Sequence, residues 1–136
     1  MVLNKEQESV IVEILQNTIK DLKAVYIFGS YADGSANNES DIDIAFLSFE
    51  KFTSLERWDI LNEIGNSLNK DIDLIDLKEA NSFLQMEVIT KGKRLFSTGD
   101  EVELFEASAI TLYLEFIDTT KEIREKIKKT HKILGA

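Results

Sequence analysis

Apolar residues along this chain recur in two alternating rhythms, and the changes between them mark out the elements. Ile11, Ile14, Leu15, Ile19 and Leu22 return at helical spacing, which predicts a helix over 5–20 with Asn4 as its cap. The unbroken run Ala24-Val25-Tyr26-Ile27-Phe28 then reads as a buried strand that enters a turn at Gly29-Ser30. Asp33-Gly34-Ser35 and Asn37-Asn38 are turn-forming, so only a short helix fits after Ser30 before a second strand at 41–47. Thr53 and Glu56 have the form of a capping box, opening a helix whose apolar side is predicted to be Leu55, Trp58, Leu61, Ile64 and Leu68. Alternation returns in Asp71-Ile72-Asp73-Leu74-Ile75-Asp76-Leu77, a third strand.

Another helix is expected over about 79–90, with Gly92 ending it, and Arg94-Leu95-Phe96 as a short edge strand. After a turn at Gly99-Asp100, with Asp100 and Glu103 as a cap, a long amphipathic helix runs to about Leu134. Its expected stripe is Leu104, Ala107, Ile110, Leu114, Ile117, Ile123 and Ile127, and its mostly charged part, Lys121 to Lys132, extends past the core. Helices alternating with strands in this order suit an α+β fold, a small mixed sheet covered by helices. No repeat or linker interrupts the sequence, so residues 1–136 are read as a single domain.

Composition narrows the class. With 43% hydrophobic and 30% charged residues the chain is expected to be globular rather than disordered. The absence of cysteine removes disulfides, thiol nucleophiles and thiolate metal sites together. Neither a secretion signal nor a membrane-length apolar stretch is visible, which predicts a cytoplasmic protein with no membrane partner. A net charge of −9 disfavours a nucleic-acid partner, because a polyanion would be repelled.

Chemistry concentrates in one short stretch. A helix that starts at Gly29-Ser30 aims free amide groups at an anion, which suits a phosphate. Ten residues later, Asp41 and Asp43 flank Ile42; in a strand that spacing places both carboxylates on one face, with Ile42 and Ile44 on the other. Paired carboxylates repel unless a cation lies between them, and a divalent ion such as Mg2+ is the usual one. A phosphate cradle beside a carboxylate pair points to phosphoryl or nucleotidyl transfer. Lys51, Arg57, Lys70, Lys93 and Arg94 are all candidates to grip a triphosphate, and the sequence does not choose among them. Tyr26, Tyr31 and Tyr113 are assigned to packing, and His131, the sole histidine, takes no role.

The pattern Gly29-Ser30, ten residues, Asp41-Ile42-Asp43 resembles the signature of the polymerase-beta-like nucleotidyltransferase superfamily. More narrowly, the chain resembles the minimal nucleotidyltransferase antitoxins encoded beside HEPN-type ribonuclease toxins. The resemblance implies the nucleotidyltransferase fold. It also implies a third carboxylate within Asp73-Leu74-Ile75-Asp76, assigned to Asp73, with Asp71 as the competitor. It further implies two Mg2+ ions held by Asp41, Asp43 and Asp73, ATP as substrate, and transfer of AMP to a tyrosine hydroxyl of a cognate HEPN toxin. Two alternatives stand beside that expectation: adenylylation of a small hydroxylated molecule such as an aminoglycoside, and neutralisation of the partner by binding alone.

Overall fold

A computed structural model describes residues 1–134, with side chains described as far as Thr130; His131 lies outside those described side chains. The elements follow in the order α1 (Lys5–Thr18), β1 (Leu22–Phe28), α2 (Ser30–Asp33), β2 (Ile42–Ser48), α3 (Ser54–Leu68), β3 (Ile72–Asp76), a 3-10 turn (Leu77–Glu79), α4 (Ser82–Lys91), β4 (Lys93–Ser97) and α5 (Glu101–Leu134). The four strands form one mixed sheet in the order β3-β2-β1-β4. β1 pairs antiparallel with β2 and β4, whereas β2 and β3 run parallel because α3 carries the chain back across the sheet.

Local signals set the boundaries. Asn4 accepts from the Gln7 amide and Gln7 reaches back to the Asn4 amide; Thr53 and Glu56 repeat the same reciprocal cap on α3. Leu22, expected to continue the first helix, begins β1 instead, after Asp21 turns the chain at a φ of 50°. Gly92 does end α4, at an ordinary φ of −77°. A Cβ there would overlap the Val88 carbonyl oxygen and stand 2.9 Å from that of Ile27, so close backbone approach is what requires glycine.

Each face of the sheet has its own core. On one, Val25, Ile27, Ile42, Ile44, Phe46 and Leu74 meet Ile11 and Leu15 of α1 and Ile60 and Ile64 of α3. On the other, Ala24, Tyr26, Ala45 and Leu47 meet Leu77, Val88 of α4 and Val102 of α5. Phe46 is fully buried, its ring 4.6 Å from that of Phe52. Replacing it with alanine should cost about 3–5 kcal/mol, read as a lowered denaturation midpoint at unchanged slope.

Two predicted helix faces are corrected. On α3, Ile64 is buried and Leu61 and Leu68 pack against the first core as expected, but Leu55 and Trp58 are exposed and Ile60, outside the expected set, is fully buried. On α5, Leu104 and Leu114 are exposed while Val102 and Ala109 are buried. Glu103 pairs with Arg94 of β4 at 3.4 Å, and the Asp100 carbonyl accepts from the Leu104 amide at the start of α5. The Tyr26 hydroxyl donates to Glu106 at 2.7 Å and ties α5 to β1. Burial, followed by that bond to Glu106, raises the proton affinity of this phenol. Among the described residues, no helix is long and apolar enough to cross a membrane.

Candidate nucleotidyl-transfer site

The C-terminal end of β1 and the N-terminal ends of β2 and β3 lie at the same edge of the fold, and the candidate residues gather there. Phe28 is opposite Asp43 in the antiparallel β1–β2 register, and Asp43 is level with Asp73 in the parallel β2–β3 register. Strand alternation turns Ile42 and Ile44 into the first core, so Asp43 and Asp73 share the opposite face. Asp41 immediately precedes β2 and is exposed, Asp43 is half-buried, and Asp73 is exposed. Three like charges therefore converge on one strand end, with Asp43 in the middle. Its carboxyl is pushed above the usual range, first by burial, then by the charges of Asp73 and Asp41.

Asp71, the competing third carboxylate, lies before β3, and its carbonyl accepts from the Ile42 amide at 2.9 Å. Asp76 is spent locally: it caps the 3-10 turn and pairs with Lys78 at 2.7 Å. Asp73 is thus the residue that strand pairing brings to Asp43.

Gly29 closes the site from behind. Its φ of 69° and ψ of −148° belong to glycine, and a Cβ there would overlap Asp43 Oδ2 and stand 3.1 Å from its Cγ. The turn and the carboxylate are built against each other. Ser30 begins α2, and the amides of Ala32 and Asp33 are taken by the Gly29 carbonyl. No backbone acceptor is found for the Ser30 and Tyr31 amides among the described residues, which leaves them for an anion.

The donor set suits a hard divalent cation. None of Asp41, Asp43 and Asp73 enters an ion pair among the described residues, and the charges of Asp73 and Asp41 both act against ionisation of Asp43. Among the described residues, no three potential ligands are close enough to enclose a metal by themselves. That is compatible with magnesium, which keeps waters and substrate phosphate oxygens in its shell.

Of the five candidate cations, four are engaged or placed elsewhere. Arg57 donates to the Leu74 carbonyl and stacks over Phe52, Lys93 pairs with Glu8, and Arg94 pairs with Glu103 and Glu106. Lys51 follows the far end of β2. Lys70 alone shares a cleft of about 770 Å3 with Asp41 and Asp71. Its ammonium donates to the neutral Asn38 carbonyl at 2.6 Å and lies 5.9 Å from the Tyr31 ring centre. The cleft also carries Asn62, Asn66 and Asn69, which sequence reading passed over although their spacing puts Asn62 and Asn66 one helical turn apart.

Carboxylates gathered on neighbouring strand ends, behind a glycine-serine turn that opens a helix, are the mark of the nucleotidyltransferase class. The chain belongs to the polymerase beta nucleotidyltransferase family, whose sequence profile matches residues 9–101. It is 37% identical over 106 residues to a protein adenylyltransferase, MntA, of Shewanella oneidensis, covering 78% of this chain and 76% of that one. A solved toxin–antitoxin structure with AMP-PNP superposes with a TM-score of 0.77 at 33% identity, over 88% of this chain and 97% of the other. The antitoxin bound to a tri-AMPylated HEPN toxin of Shewanella oneidensis superposes with a TM-score of 0.74 at 30% identity, over 92% and 98%.

Proposed function

We propose that this chain is an antitoxin that transfers AMP from ATP to a tyrosine hydroxyl of a cognate HEPN ribonuclease toxin and thereby neutralises it. The observation that carries the reading is the register of Asp43 with Asp73 beside Gly29, in a chain 37% identical to a protein adenylyltransferase. Asp41, Asp43 and Asp73 would hold two magnesium ions. When bound, magnesium neutralises phosphate charge and lowers the pKa of an acceptor hydroxyl. Gly29 lets the backbone come close to the β- and γ-phosphates, and Ser30 offers them its hydroxyl and a free amide. Catalysis then rests on positioning and charge neutralisation, which few side chains can supply.

The direct test is the intact mass of the cognate toxin after incubation with this chain, ATP and magnesium. Addition of one or more AMP groups, dependent on all three components, is the expected result. A tight complex without mass change would instead support neutralisation by binding alone.

Lys70 is the cation we assign to the triphosphate. A charge-assisted hydrogen bond contributes about 1.5–3 kcal/mol, so Lys70→Gln should raise KM for ATP roughly tenfold or more. Arginine at this position should restore most of that affinity. A change confined to kcat, with KM untouched, would remove Lys70 from the phosphate site.

A further inference from the structure

Helix α5 is 34 residues long, and its buried residues among those described, Val102 and Ala109, lie in its first turns. Val102 and Phe105 fasten its first turn to the second core, and Ala109 is buried on the same side. At 100° per residue, Leu112, Phe116, Ile123 and Ile127 continue that same stripe beyond the body. They are 56%, 62%, 52% and 60% exposed, and among the described residues nothing of this chain covers them.

The order of residues along this stripe specifies what could. Leu112 and Phe116 on one side of a midpoint between Thr119 and Thr120 are mirrored by Ile127 and Ile123 on the other. A two-fold interface needs such self-complementarity, since each contact must occur twice. Only an antiparallel pair uses it: Leu112 falls opposite Ile127 of the second copy, Phe116 opposite Ile123, and Thr119 opposite Thr120. On the flank, Glu115 and Lys126 lie equally far from nearly the same midpoint, so each glutamate meets a lysine.

Charge is arranged in the same sense. Within a chain of net charge −9, residues 121–130 carry Lys121, Arg124, Lys126, Lys128 and Lys129 against only Glu122 and Glu125. Antiparallel pairing brings this basic end of each helix to the acidic body of the other copy, whereas parallel pairing would set the two basic ends side by side. We infer that the projecting half of α5 is a self-association surface, on which two copies of this chain pair through antiparallel helices centred between Thr119 and Thr120.

The test is the mass of the full-length chain by analytical ultracentrifugation, with substitutions on the stripe. The parent should sediment as two copies, and Phe116→Glu should halve the mass at unchanged helical circular dichroism. Phe116→Leu should restore the pair. AMP transfer by the isolated copies should persist, because the stripe lies outside the strand-end site. The cysteine-free sequence allows an independent check of register: Thr120→Cys should form an interchain disulfide under mild oxidation, and Leu112→Cys should not. A parent of single-copy mass at tens of micromolar would overturn the inference, as would cross-linking through Leu112→Cys. So would a pair indifferent to Phe116→Glu, or a stripe protected from hydrogen exchange only when a toxin is added.

Discussion

Asp43→Asn should reduce AMP transfer by roughly a thousandfold or more, the loss expected when a metal's several kcal/mol of transition-state stabilisation goes. Asp43 is the residue to change because it is the central one of three: strand register brings Asp73 to it, and Asp41 lies two residues before it. The variant should fold at least as well as the parent. A carboxyl whose folded-state pKa is raised contributes favourably only at low pH, and that contribution is lost as pH rises through the folded-state value. At neutral pH the ionised group therefore opposes folding, and asparagine removes the repulsion. The melting temperature of Asp43→Asn without magnesium should equal or exceed that of the parent. Added magnesium should raise the parent and leave the variant nearly unmoved.

Asp73→Asn should follow Asp43→Asn in activity, while Asp71→Asn should retain the parent rate within a few-fold. Equal losses at Asp71 and Asp73 would contradict the register argument. The rate is read from AMP incorporated into the toxin, under saturating ATP, so that binding and chemistry are not confused.

These carboxylates were legible in the sequence because their spacing is local. Gly29-Ser30 and Asp41-Ile42-Asp43 are each short enough for strand alternation and turn chemistry to be read directly. The assignment of Asp73 over Asp71 rested on family resemblance, since which residue lies beside Asp43 depends on pairing between strands separated by α3, a non-local fact. The same limit explains the misread helix faces. The apolar arc of α3 is broad, and periodicity alone cannot tell that its Ile60 and Ile64 side meets the sheet while Leu55 and Trp58 at its other margin meet solvent. α5 has two apolar stripes, and the one that packs on the body is chosen by Val102 and Ala109, not by the larger Leu104 and Leu114. Gly29 illustrates the opposite case. Its role in a turn was readable, but its contact with the Asp43 carboxylate required the hairpin register.

That contact makes Gly29→Ala the second large effect. Alanine at a φ of 69° and ψ of −148° enters a region that only glycine occupies readily, at a cost of about 1–3 kcal/mol. Its Cβ must also displace the Asp43 carboxylate, because the two cannot share the space. A displacement near 1 Å in a catalytic group can lower a rate roughly a hundredfold, and that loss is expected in kcat at saturating ATP. Gly34→Ala separates strain from displacement. Gly34 also has a positive φ, 86°, yet a Cβ there meets nothing within 4 Å. It should lower the denaturation midpoint while leaving AMP transfer at the parent rate. Were both alanine variants to lose activity in proportion to stability, the close packing of Gly29 on Asp43 would have no part in catalysis. Loss confined to Gly29→Ala would show that the turn holds the carboxylate in its working position.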